Sequence, residues 1–214
     1  MVIMNKKAIA FGSISGVLLS ISLLAASPAL AHHPSGGKLP STFAEGFMSG
    51  IGHPVIGIDH LAFVVAIGLL AALSKKLGLL IPVAFVAATA LGTVIHLQSI
   101  NLPVPELIIS ASVLVMGIFL AQEKQVNWVI ITALGAIAGI FHGYAYGESI
   151  VGAETTALGA YLLGFCSIQL IISAIAFYIG RSIIKSTKPS LWLRFAGFTI
   201  SGIGFAFVSN AILS

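Results

Sequence analysis

From residue 43 onward the chain alternates long apolar runs with short polar or turn-forming stretches, at about 43–73, 79–98, 104–122, 126–146, 155–180 and 191–213. Most runs are close to the 20 residues an α-helix needs to cross a bilayer core. The pattern predicts an all-α polytopic membrane protein, a six-helix transmembrane bundle with short connections. The first run is too long, at 31 residues, for one straight crossing, and "SGIGHP" in its middle is a poor helix interior. Pro54 lacks a backbone donor, and Gly50 and Gly52 loosen the turn. We expect a short outer helix over 43–51, a break near Gly52–Pro54, and a span running inward from Pro54. Such breaks are tolerated in membranes only where they line a protein-filled or wet cavity.

Residues 1–31 follow a different grammar. Lys6 and Lys7 precede an apolar stretch from Ala8 to Ala26, then Pro28 and the small-x-small ending Ala29-Leu30-Ala31. That is the pattern of a cleavable secretory signal peptide, with an uncleaved first helix as the alternative. Residues 32–214 then form the transmembrane domain, beginning "HHPSGGK" on the outer side. Positive charge tests this orientation independently. Lys75 and Lys76 follow the first run, Lys124 the third, and Arg181, Lys185 and Lys188 the fifth, whereas "SINLPVP" and "GESIVGAE" carry no Lys or Arg. Six spans in a bacterial inner membrane, with both termini outside, satisfy every loop.

Composition narrows the function classes. With 58% hydrophobic and 7% charged residues, and a mean hydropathy of +1.10, a soluble domain is excluded. The net charge of +4 does not indicate nucleic acid, because the Lys and Arg residues sit at span ends and in the signal region. The one cysteine, Cys166, rules out an intramolecular disulfide and a Cys-based zinc site.

The costly residues are sorted by depth. His53 lies at the expected break, and Asp59, the only aspartate, lies with His60 roughly 8–10 Å deeper at the helical rise. His96 and His142 fall near the outer ends of the second and fourth spans, and Glu45, Glu106, Glu148 and Glu154 on the same side. The inner half has no His, Asp or Glu. His53 and His60 share a face if the break does not rotate the helix; Asp59 points about 100° away, to complete a site or to orient a histidine. Asp within a span is rare enough to make function the default. Imidazole with carboxylate or carbonyl and no thiolate suits Ni²⁺, Co²⁺ or Zn²⁺. A partly dehydrated metal cation is therefore the expected occupant.

Other residues have plainer readings beside the functional one. His96 stands alone at a helix end, where histidine is more often hydrogen-bonded than metal-bound. Glu106 and Glu154 suit solvated positions at helix starts. Gly135, Gly139, Gly143 and Gly147 form a four-residue stripe for close packing, and the Gly46 and Gly50 pair makes the first segment a candidate to dock there. His32 and His33, with a free amine after cleavage, would capture metal at the mouth or form a solvated tail.

"HPVIGIDHLAF" (His53, Pro54, Gly57, Asp59, His60) resembles the signature of the HupE/UreJ family of small nickel or cobalt permeases. "FHGYAYGE" (Phe141, His142, Gly143, Gly147, Glu148) looks like its fourth-span motif, and "YLLGF" (Tyr161, Gly164, Phe165) is similar to its fifth-span pattern. The resemblance spans the chain and implies a metal permease, not an enzyme, taking up Ni²⁺ or Co²⁺ from outside. Family members commonly carry a second histidine where Tyr146 stands, which leaves the metal open. The expected order is Glu148, with His32 and His33, attracting the ion; His53 and His142 receiving it; and Asp59 with His60 holding it deepest. No tightly bound cofactor is expected. The partners are the bilayer and the cation, with a homo-oligomer and a cytoplasmic metal acceptor left open. No phosphate-binding loop is present. A membrane metalloenzyme and haem binding by His53 with His142 are the alternatives.

Overall fold

The computed structural model describes residues 39–74, 78–122, 127–185 and 189–213. The signal-peptide expectation, His32, His33, and the charges at Lys75, Lys76, Lys124 and Lys188 lie outside the described residues. The described residues form helices only: α1 (Phe43–Ile56), α2 (Ile58–Leu73), α3 (Leu80–Leu97), α4 (Pro105–Ala121), α5 (Trp128–Glu148), α6 (Thr155–Ile184) and α7 (Pro189–Leu213).

Helices α3, α5, α6 and the Leu191–Leu213 part of α7 are each long and apolar enough to cross a membrane. Helices α1 and α2 qualify together as a pair bent by 80°. Helix α4 is apolar but has 17 residues, about 25 Å of helix against a hydrocarbon core of roughly 30 Å. The protein is an integral membrane protein, with four such helices among the described residues, five with the bent pair.

The first segment is broken, as its sequence predicts, but at Gly57, three residues past Pro54, not within Gly52–Pro54. Helix α1 runs through both residues to Ile56, and the chain leaves helical geometry at Gly57 (φ −69°, ψ 104°). Pro54 lies in the last turn of α1, where its missing N–H forfeits a single bond to the Gly50 carbonyl, and α1 is braced there by α6. Gly50 lies on the Tyr161 carbonyl and Gly46 on that of Ala157. At Gly57 the reason for glycine is steric: a Cβ would come 2.6 Å from the His60 ring carbon Cδ2. His53 and His60 therefore sit on two helices that meet at a corner, not on one helix face.

Packing gives the relative directions. Along α6, α1 lies beside Ala157 and Tyr161, and α2 beside Ser173 and Gly180, so the bent pair advances along α6 as one traverse. Helices α3 and α5 run parallel, Phe85 meeting Gly139, Thr89 meeting Gly143, and His96 meeting Gly147. Helices α4 and α7 run antiparallel, with Gly117 against Gly197 and Leu114 against Gly204. These are the directions of a chain that reverses at every connection, with the bent pair taken as one pass.

The α5 glycine stripe thus receives α3, not the first segment as its own glycines suggested. Gly46 and Gly50 are spent on α6. At Gly143 the approach is so close that a Cβ would collide with the Thr89 carbonyl. Helix α2 is buried along most of its length, with Phe63, Val64, Ala66, Ile67, Ala71 and Ala72 in the core. Large apolar side chains such as Ile137, Ile175, Phe198 and Phe205 face outward, as lipid contact requires.

Candidate metal-binding site

The corner between α1 and α2 places two histidines against a third from α5. His53, His60 and His142 are all buried. The His60 and His142 rings pack with centroids 4.8 Å apart, and their Nδ1 atoms lie 2.7 Å from each other. Such a contact needs a proton on one nitrogen and a lone pair on the other. The neighbouring bonds assign them. Ser112 Oγ donates its one hydrogen to the Ile109 carbonyl at 2.6 Å, so it accepts from His142 Nε2 at 3.1 Å. His142 then carries its proton on Nε2 and accepts at Nδ1 from the His60 Nδ1–H. Neutral His60 keeps its lone pair on Nε2.

His53 belongs to an adjoining network. Its Nδ1 lies 3.0 Å from Ser149 Oγ and 3.0 Å from Tyr161 OH. Both hydroxyls also reach the Tyr146 carbonyl, Ser149 at 3.1 Å and Tyr161 at 2.9 Å. The two hydroxyls are also 3.0 Å from each other, so Ser149, Tyr161, the Tyr146 carbonyl and His53 Nδ1 form one buried network. The Tyr146 ring lies 4.8 Å from the His53 ring and 4.7 Å from that of His60, and its hydroxyl is buried without a hydrogen-bond partner. Below the His60–His142 pair is an aromatic floor. Phe63 stacks obliquely on His142 at 4.4 Å and Phe85 touches Phe63 at 5.1 Å.

Beside His60 opens a pocket of about 90 Å³ between α2, α4, α5 and α7, its walls including Asp59, Glu106, Tyr144, Glu148 and Asn210. Asp59 Oδ1 accepts from the His60 backbone N–H at 2.9 Å, at the start of α2, and Asp59 and His60 both line this pocket.

The expected site residues therefore divide. His53, His60 and His142 come together; Asp59 and Glu148 meet at the pocket with His60. His96 stands apart, its ring on Tyr144 at 4.3 Å and its Nδ1 without a hydrogen-bond partner. Glu45 closes a capping box with Thr42, and Glu154 stands at the N-cap of α6. Among the described residues, no three or more His, Cys, Asp or Glu side chains converge as a preformed metal cage. Sequence reasoning missed Ser112, Ser149 and the pocket position of Glu106. A hydroxyl inside the apolar run of α4 was the available signal for Ser112.

A buried imidazole pair beside a carboxylate-walled pocket, in a bundle of apolar helices, defines a polytopic membrane protein with a polar site inside its helices. Comparison with known proteins specifies it further. The family model described as HupE / UreJ protein matches residues 19–207, and the chain belongs to that family of transporters, associated with nickel and cobalt uptake. It is similar to Protein HupE of Rhizobium leguminosarum bv. viciae, with 28% identity over 198 residues that cover 92% of this chain and 97% of that protein. No solved structure matches.

Proposed function

We propose that the protein is a permease that carries Ni²⁺ or Co²⁺ into the cell through the His60–His142 pair. The observation that carries this reading is the 2.7 Å Nδ1–Nδ1 contact between buried imidazoles, next to a pocket walled by Asp59, Glu106 and Glu148. Two nitrogens bound in adjacent positions at about 2.0–2.1 Å from one ion stand roughly 2.9–3.4 Å apart. A separation of 2.7 Å needs only a small opening of the pair. The shared proton then leaves as the cation enters, since a ligating imidazole nitrogen must be deprotonated.

The carboxylates gather the cation and replace part of its water, as negative walls do in a low-dielectric setting. The imidazoles take it next. They suit nickel and cobalt better than the hard ions Mg²⁺ and Ca²⁺, which prefer oxygen. His53, held by Ser149 and Tyr161, borders the pair and supplies a further nitrogen as the corner flexes. By the positive-inside rule the pocket faces outward, with both termini on that side. The cation is cargo, so no tightly bound cofactor and no catalytic residue are part of the reading.

Uptake of nickel and of cobalt by metal-starved cells tests it, comparing the intact protein with Asp59→Ala and His60→Ala at matched membrane abundance. Accumulation of one metal by the intact protein, lost in both variants, is the expected result. Uptake no greater than that of cells lacking the protein would end the nickel and cobalt reading.

A further inference from the structure

Below the histidines the described residues offer no His, Asp or Glu to pass a cation onward, yet the bundle there is not wholly apolar. Gln169, Thr89 and Ser173 are all fully buried. Their hydrogen bonds share one property. Thr89 Oγ1 donates to the Val86 carbonyl at 2.7 Å, and Ser173 Oγ donates to the Gln169 carbonyl at 2.7 Å. The Gln169 amide nitrogen donates to Thr89 Oγ1 at 3.3 Å and to the Phe165 carbonyl at 3.1 Å. The nitrogen's two carbonyl-type and hydroxyl acceptors fix the orientation of the amide, because the flipped oxygen would face the Phe165 carbonyl. With their hydrogens committed, these groups present lone pairs. Gln169 Oε1 is a buried acceptor with no hydrogen-bond partner among the described residues. An orphaned buried acceptor of this kind is costly and calls for an occupant.

Position strengthens the point. Thr89 packs on Gly143, the residue after His142, and the Ser173 carbonyl packs on Gly68. Gly68 lies five residues beyond Phe63 in α2, about 7–8 Å further along the helix. The three side chains therefore begin level with His142 and end past the aromatic floor.

We propose that Gln169 Oε1, Thr89 Oγ1 and Ser173 Oγ form a neutral oxygen station for the partly hydrated divalent cation, the passage around the Phe63–Phe85 floor. This rests on the permease reading above. Neutral oxygens suit such a step because they replace hydration without holding the ion too tightly to leave, as in carbonyl-lined filters. A carboxylate in the same place would trap it. The station is sealed in this conformation, since all its side chains are buried.

The test uses the full-length protein in metal-starved cells and, in parallel, purified in detergent, with nickel and cobalt as probes. Gln169→Leu removes the oxygen at similar volume; it should lower the maximal uptake rate about tenfold or more while equilibrium binding of metal to the purified protein is unchanged. Gln169→Glu should lower both the half-saturating metal concentration and the maximal rate, a split that a packing role does not produce. Should Gln169→Leu fail to accumulate, Gln169→Met replaces it. Intact uptake with either apolar variant overturns the station and leaves the permease reading standing. Lack of uptake by the intact protein overturns the permease reading, and the station with it.

Discussion

The two halves of the bundle use different chemistry on the same helices. One half joins carboxylates, three histidines and hydroxyls around a corner between α1 and α2, with an open pocket beside His60. The other half offers neutral oxygens along α3 and α6, next to a packed aromatic floor. Charge buried in hydrocarbon is costly and persists where it has a task; here the costly groups are confined to one end. On the function proposed above, the contrast separates capture from passage: strong, polarisable donors where the cation is taken from water, weak donors where it moves on.

The largest expected effect on this contrast comes from breaking the pair. His142→Ala removes both the acceptor for His60 and the partner of Ser112; metal uptake should fall to background with the protein still in the membrane, read by metal content of cells at matched abundance. A smaller effect should follow from the fold that aligns the halves. Gly143→Ala forces the Thr89 carbonyl away and should cost ~1–3 kcal/mol, seen as earlier thermal unfolding in detergent and lower yield. Gly159→Ala, at a position with open space, should leave both unchanged. The smallest effect belongs to the pocket walls. Glu106→Gln with Glu148→Gln should raise the half-saturating metal concentration about three- to tenfold at low ionic strength and less in high salt, with maximal uptake preserved.

Much of this architecture was legible in the sequence because burial in a membrane imposes a simple rule: apolar runs become helices. All six runs became helices, the first of them two, and the His, Asp and Glu residues within them marked one end. Details set by tertiary contact were not legible. Pro54 and two glycines pointed to a break at Gly52–Pro54, yet α6 holds α1 helical through them and the chain turns at Gly57, where a side chain would strike His60. The α5 glycine stripe correctly announced close packing, but not which helix would use it, since Gly46 and Gly50 fit α6 equally well on spacing alone. Asp59 read as a ligand or orienting partner of the histidines; its bond to the His60 backbone and its place on the pocket wall beside Glu106 were not legible. Glu106 read as a solvated helix start, and only the fold brings it opposite Asp59.

The account turns on whether one cation is held by His60 and His142 together. X-ray absorption at the nickel edge, on purified protein loaded with one equivalent of Ni²⁺, tests this most directly. The account predicts imidazole scattering from at least two histidines at about 2.0–2.1 Å, reduced by one ring in His60→Ala and in His142→Ala. A first shell of oxygen alone, or an imidazole signal unchanged in both variants, would contradict it.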